Sequence, residues 1–208
     1  MKDFFRPSDS HRQAPPTPVL SARFGDALCM AVGLHRNHAR KGTSIPYASH
    51  LLAVAALVLE HGGTEDQAIA ALLHDAVEDQ SGGDPAGLKR EIEQRFGRAV
   101  LDVVLACSDS EVSIDKPNWE ERKQRYIDHI RSAPAEVRLV SLADKTHNAR
   151  AILRDHKAIG DEVWKRFNRP KDKILWYYEE LMEAFRGRGN PVLYEEFETM
   201  VAQIRARC

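Results

Sequence analysis

Apolar residues along this chain recur with helical spacing from about Val19 onward, and no segment shows the strict alternation of a strand. Residues 21–38 read as an amphipathic helix. A Gly/Ser/Pro loop follows at 41–46, and Pro46 suits the first turn of a second helix running to His61. That helix holds the longest apolar run, Leu51 to Leu59, which predicts a segment buried on all sides. Gly62-Gly63 ends it. Thr64-Glu65-Asp66-Gln67 then has the order of a capping box, with Thr64 as N-cap and Gln67 at N3. A third helix is predicted from there through the acidic pair Glu78-Asp79, closed by Gly82-Gly83. Further helices are predicted near 85–96, 98–107, 117–132, 135–154, 160–168, 171–186 and 190–206. Gly97, Pro134, Gly160, Gly187 and Gly189 punctuate them. The polar 109–116 segment reads as an irregular loop and a candidate active-site loop. Residues 1–18 are polar and carry Pro7, Pro15, Pro16 and Pro18, so a flexible Pro-rich tail is expected. No internal repeat or linker is visible. The reading is all-α, with residues 19–208 forming a single bundle of about ten helices.

Composition narrows the class. The 208 residues suffice for one well-packed domain, and 43% hydrophobic with 29% charged residues is ordinary for a soluble protein. A formal net charge of −1 gives no global basic field for nucleic acid or an anionic membrane, although a local basic site stays open. The 51–59 run is too short for a bilayer, which needs about 20 residues. The first eighteen residues lack the apolar core of a signal peptide. Cys29, Cys107 and Cys208 are odd in number, widely spaced and without a CxxC pair, so neither a disulfide framework nor a zinc ribbon is expected. A reduced, cytoplasmic protein follows from this reading.

The chemistry concentrates in His74-Asp75-Ala76-Val77-Glu78-Asp79-Gln80, directly after the apolar stretch Ala68 to Leu73. A helix that apolar belongs in a core, and burying a histidine and a carboxylate is unfavourable unless each finds a partner. A divalent metal would satisfy both. His74 with Glu78, and Asp75 with Asp79, have i,i+4 spacing, so one continuous helix would stack them on nearly one face. Antiparallel packing around Gly62-Gly63 would bring His50, early in the second helix, beside His74. Asp144 also follows an apolar run, Leu139 to Ala143, and Asn148 lies one turn on. Taken alone, a His-Asp dipeptide or Asp144 beside Lys145 also reads as a salt bridge or a surface charge. Together, His50, His74, Asp75 and Asp144 make a set of two histidines and two carboxylates. Such mixed N/O donors suit manganese, iron or zinc better than calcium or magnesium. A set this small fits one metal more easily than two.

Those residues carry a resemblance. His50, His74-Asp75 and Asp144 match the H…HD…D pattern of the HD-domain metal-dependent phosphohydrolases. Arg40-Lys41, Pro46-Tyr47-x-x-His50, Ala71-Leu72-Leu73-His74-Asp75-x-Val77-Glu78-Asp79 and Leu142-Ala143-Asp144-Lys145-x-x-Asn148 resemble the alarmone hydrolase domain of RelA/SpoT proteins over roughly residues 20–187. With no room for synthetase or regulatory domains, the chain resembles the stand-alone small hydrolases, similar to the metazoan SpoT homologue. The resemblance implies an HD-type bundle that removes the 3′-pyrophosphate of (p)ppGpp, giving GDP or GTP plus pyrophosphate, with one manganese ion per site. It implies His50, His74, Asp75 and Asp144 as ligands, and Glu78 and Asp79 as the pair that positions and deprotonates the attacking water. Arg40 and Lys41 would contact the nucleotide, and Asn148 and Arg150 would face it. Asp109 would contribute too, although Ser108-Asp109 stands where the family tends to carry Thr-Asp.

Other functions are compatible with the same residues. Removal of the 2′-phosphate of NADPH offers the site a similar ribose-linked phosphate. A catalytically silent nucleotide sensor is a third reading, against which the intact Glu78-Asp79 pair argues. His35 and His38 lie near the basic loop, where one would touch substrate or the metal shell; a polar helix face accounts for His38. His147 is expected at the edge of the site or exposed. Trp164, Trp176, Tyr177 and Tyr178 read mostly as core, with Tyr177 or Tyr178 near pyrophosphate. The basic run Lys165 to Lys173 reads as a solvated face. Apolar faces on the C-terminal helices would allow a homodimer.

Overall fold

The computed structural model describes residues 20–79, 83–108 and 118–207. Among these, secondary structure is helical apart from one isolated antiparallel bridge, Ala39 to Pro46. The helices are α1 (Ala22–Leu34), α2 (Ala48–Glu60), α3 (Glu65–Leu73), α4 (Ala76–Asp79), α5 (Pro85–Phe96), α6 (Arg98–Cys107), α7 (Trp119–Ser132), α8 (Ala135–Ile159), α9 (Lys171–Phe185) and α10 (Pro191–Ala206). A 3₁₀ segment, η1 (Gly160–Arg166), links α8 to α9 and replaces the predicted α-helix there. The all-α reading holds, and one hydrophobic cluster draws on all ten α-helices.

Local signals explain most boundaries. The Thr64 hydroxyl accepts from the Gln67 N–H, and the Gln67 side chain accepts from the Thr64 N–H, so the predicted capping box is present. Asp84, Asn118 and Asn190 each cap the helix that follows. Gly160 adopts φ +58° at the end of α8, a left-handed conformation that ends the helix at little steric cost.

Three departures from the periodicity matter for the site. First, α1 stops at Leu34, not His38. The His35 ring turns into the core at 2% exposure, and a closed loop replaces the expected last turn. Its backbone bonds run from Arg40 N–H to the Ile45 carbonyl and from Tyr47 N–H to the His38 carbonyl. His35, His38 and Tyr47 stack, with ring centroids 4.8 Å (His35–Tyr47) and 4.0 Å (His38–Tyr47) apart. Pro46 consequently belongs to this loop, ahead of the helix N-cap at Tyr47. Second, α2 is not buried on all sides: Leu52 is 46% exposed, because only one face meets α3 and α8. Third, the helix through His74 does not continue into Glu78-Asp79. It stops at Leu73, and α4 begins afresh at Ala76. His74 Nδ1 lies 2.8 Å from the Ala71 carbonyl, the acceptor a continuing helix would give to the Asp75 N–H.

Helix α8 is the axis of the packing. It contacts α2, α3, α6, α10 and η1, so residues along its length meet side chains from widely separated parts of the chain. The α2–α3 hairpin folds back at Gly62-Gly63 and lies against it. Gly62 takes φ +80°. Gly63 has no room for a side chain: an added Cβ would lie 2.4 Å from Val58 Cγ1 and 2.7 Å from the Val58 carbonyl oxygen.

Two outcomes are expected. Gly63→Ala should lower unfolding free energy by about 1–3 kcal/mol in urea titration, because backbone must shift to admit the methyl; unchanged stability would contradict the tight hairpin. The second concerns pH. Burial pushes the His35 imidazole down from 6.5 to about 4. Between these values the unfolded chain binds a proton that the folded chain refuses, so His35 costs stability as pH falls from about 6.5 to about 4. His35→Phe should make the dependence of unfolding free energy on pH shallower in that window, by at most one proton or about 1.4 kcal/mol per pH unit. An identical slope in both proteins would refute this.

Candidate metal centre and active site

Four polar side chains from three parts of the chain converge where α2, the α3–α4 break and α8 meet. His50 comes from the first turn of α2, His74 and Asp75 from the break, and Asp144 from the middle of α8. His50 Nε2 lies 3.2 Å from Asp144 Oδ1 and 3.7 Å from Asp75 Oδ2. His74 Nε2 lies 3.0 Å from Asp75 Oδ2 and 3.7 Å from Asp144 Oδ1. His50 and His74 are almost fully buried, at 1% and 2% exposure, and Asp144 is buried as well.

This donor set fits a divalent cation. One ligand atom from each of His50, His74 and Asp75 lies within 4.8 Å of the others, and Asp144 Oδ1 joins them through its approach to both histidines. Ligands held about 2.0–2.2 Å from an ion stand roughly 3–4 Å from one another. His74 Nε2 is buried yet has no hydrogen-bond partner. Asp75 Oδ2, 3.0 Å away, pairs with it electrostatically. Its other ring nitrogen is engaged by the Ala71 carbonyl, so Nε2 is the atom presented to the cluster.

Electrostatics favour the ligand forms of both acids. Burial raises the Asp144 pKa, but Lys145, with Nζ 2.7 Å from Oδ2, and the two histidines outweigh it and hold the carboxyl well below its ordinary range. Burial likewise opposes ionisation of Asp75, and His74 and His50 overcome it. The Tyr47 hydroxyl donates to Asp75 Oδ2. For His74, burial lowers the pKa, but Asp75 and Asp144 reverse this and hold it well above 6.5. The cluster is thus two carboxylates compensated by positive charge.

The cluster lies on the wall of a cavity of about 520 Å³, within the range of small-molecule sites. Eight Arg and Lys side chains line it against four Asp and Glu, so the cavity is basic although the chain as a whole is not. Arg40 lies over the Tyr47 ring at 5.6 Å and donates to Asn148 Oδ1, while Asn148 Nδ2 donates to Asp144 Oδ1, both at 2.6 Å. Lys41 Nζ donates to Asn168 Oδ1 at 2.6 Å. Glu78 also lines the cavity. The i,i+4 stacking expected of His74 with Glu78 is replaced by a bend at the α3–α4 break. Asp109 and the 109–116 loop lie outside the described residues, as does the side chain of Asp79.

Arg150 is the sequence candidate that the structure does not bring to the cavity. It pairs with Glu196 of α10, with Nη2 3.3 Å from Oε2. It lies two residues, and therefore about 200° around the helix, from Asn148. His38 lies on the cavity wall and off any helix, contrary to the polar-helix reading. Tyr177 and Tyr178 are buried at its edge. The basic run divides: Arg166 and Arg169 face the cavity, whereas Lys165 pairs with Glu162 on the surface.

Sequence reasoning missed several wall residues. Tyr47 and Lys145 sat inside the strings already singled out, so the signal for them was present. Lys123 and Trp119 on α7 had none. Lys123 Nζ lies over the Tyr177 ring at 4.9 Å, a contact set by the packing of α7 on α9.

Comparison with known proteins agrees with this geometry. The family profile described as HD domain matches residues 27–169. The chain is 34% identical over 174 residues to the guanosine-3′,5′-bis(diphosphate) 3′-pyrophosphohydrolase MESH1 of Xenopus tropicalis, across 82% of this chain and 87% of that protein. With the Drosophila melanogaster MESH1 the identity is 29%, across 80% and 87%. The bifunctional (p)ppGpp synthase/hydrolase SpoT of Escherichia coli (strain K12) is 31% identical over 136 residues, 62% of this chain but 18% of that one. Among solved structures, a metazoan ortholog of SpoT described as hydrolyzing ppGpp superposes with a TM-score of 0.70 at 25% identity, covering 88% of this chain and 96% of the other. By sequence, fold and the residues gathered at its cavity, the chain belongs to the HD-domain family, among relatives of the MESH1 and SpoT pyrophosphohydrolases.

Proposed function

We propose that this protein is a divalent-metal-dependent hydrolase that removes the 3′-pyrophosphate of (p)ppGpp, yielding GDP or GTP and pyrophosphate, in the cytoplasm. The observation that carries the reading is the joining of a His50–His74–Asp75–Asp144 cluster, buried except for the half-buried Asp75, to a basic cavity large enough for a nucleotide. The relatives named for this activity support it. His50, His74, Asp75 and Asp144 would hold the metal; the mixed donors suit manganese, iron or zinc, and of these the resemblance to the alarmone hydrolases favours manganese. When bound, that ion would polarise the phosphoryl group and make water more acidic.

The chain's own residues supply the remainder. Glu78, on the cavity wall beside the break, receives the proton of the attacking water, with Asp79 as its partner. The basic wall holds the phosphates: Lys41 reaches them from the 40–46 loop, and Arg166 and Arg169 from the adjoining 166–169 segment. Arg40, held between Tyr47 and Asn148, presents a planar guanidinium on which a purine can stack. Lys145 keeps Asp144 ionised and adds positive charge to the floor. Asp109 is assigned to substrate binding by resemblance alone. Arg150, tied to Glu196, has no role in this scheme.

Purified protein with Mn²⁺ should convert ppGpp to GDP and pyrophosphate faster than it releases phosphate from NADPH. His74→Ala should abolish turnover. Glu78→Gln should retain the metal and lower kcat by roughly 10²- to 10⁴-fold, the usual contribution of a positioned base. Product analysis by chromatography decides. Preferential NADPH turnover would replace the substrate, and tight ppGpp binding without turnover by metal-loaded protein would replace the enzyme with a sensor.

A further inference from the structure

His50 and His74 present Nε2 to the cluster, and each is held through Nδ1, but by different means. His74 Nδ1 lies 2.8 Å from a backbone carbonyl, that of Ala71. His50 Nδ1 lies 2.7 Å from another ring nitrogen, Nδ1 of His147. His147 sits on α8 three residues after Asp144, so the helix that supplies one carboxylate also supplies the support of a histidine reaching in from α2. The two rings are 4.9 Å apart between centroids and tilted by 40°. His50 is 1% exposed, so solvent does not readily replace this contact.

Two ring nitrogens at this distance share one hydrogen, and the pair has two settings. In one, His50 Nδ1–H donates to His147 Nδ1, and His50 Nε2 carries a free lone pair. In the other, His147 Nδ1–H donates, which places the hydrogen of neutral His50 on Nε2 and closes that atom to a metal. Only the first setting is compatible with His50 as a ligand.

We infer that His147 is a positioning residue of the metal centre: its Nδ1 accepts from His50 Nδ1–H, fixing the His50 tautomer and aiming Nε2 at Asp75 and Asp144. The inference rests on the metal-centre reading above. Histidine ligands are commonly held by such an outer partner, and loss of the partner typically weakens metal affinity about 10- to 100-fold. A Phe at this position would keep the ring volume and leave the buried His50 N–H without an acceptor. A Gln would restore an acceptor oxygen.

The test is isothermal titration of Mn²⁺ into metal-free wild type, His147→Phe and His147→Gln, with thermal unfolding in chelator as a control for folding. Expected are a roughly 10- to 100-fold rise in Kd for His147→Phe and recovery of most of that loss in His147→Gln. A folded His147→Phe that binds Mn²⁺ as tightly as wild type overturns the inference, as does His147→Gln binding as weakly as His147→Phe. Should His147→Phe not fold, nitrogen NMR of Zn²⁺-loaded wild type decides. His50 protonated at Nδ1 and His147 at Nε2 support the inference, and a hydrogen on His147 Nδ1 overturns it. Failure of wild type itself to bind Mn²⁺ defeats the metal-centre reading and the inference with it, a result distinguishable because no variant is involved.

Discussion

Two carboxylates and two imidazoles lie within a few ångströms of one another at a junction of helices, largely shielded from solvent. Ionised groups in such surroundings are costly unless charge and hydrogen bonds compensate them. Lys145 and the histidines do this for Asp144, and Tyr47 and the histidines for Asp75. Much of the surrounding structure serves that compensation. The α2–α3 hairpin delivers His50 beside His74, and the break after Leu73 turns His74 Nε2 inward. α8 brings Asp144, Lys145, His147 and Asn148 to the cluster from little more than one helical turn. A divalent cation would supply the same positive charge in a more concentrated form.

The cavity extends this logic outward. Its wall carries twice as many cations as anions in a chain of net charge −1, so charge is sorted spatially, not in bulk. A low-dielectric wall concentrates that field on an anionic ligand, which suits a substrate bearing several phosphates. The 40–46 loop and the 166–168 segment meet across the cavity edge through Lys41 and Asn168, and the Arg166 side chain packs so closely on Gly42 that a Cβ would lie 2.7 Å from its Cγ. The two segments that supply cations to the proposed phosphate site are thereby braced against each other.

Much of this was legible beforehand, for reasons tied to particular residues. Thr64 and Gln67 announced the start of α3 because a capping box is a local device. Gly62-Gly63 announced the turn because few other residues fit it, and Gly63 indeed has no space for a methyl. The pairing of His50 with His74 followed from simple antiparallel packing. The misreadings share a cause as well. Periodicity extended α1 through His38 and α3 through Asp79, yet in both places a histidine side chain turns aside. His35 enters the core, and His74 takes up a backbone carbonyl the helix would have used. A hydrophobic pattern does not register that competition. Arg150 was assigned to the nucleotide by resemblance together with Asn148, but two residues along a helix face nearly opposite ways, and Arg150 pairs with Glu196 instead.

What the sequence determined alone is therefore the set of helices and the residue types for a mixed nitrogen and oxygen centre, since helical periodicity, caps and donor chemistry are properties of short stretches. What only the tertiary structure decided is direction and company. It set which nitrogen of each histidine faces the cluster, that His147 meets His50 across 97 residues of chain, and that α7 and the 166–169 segment complete a basic wall. Those outcomes depend on how helices distant in sequence pack against α8. The orientation of a buried side chain is fixed by the partners that packing supplies.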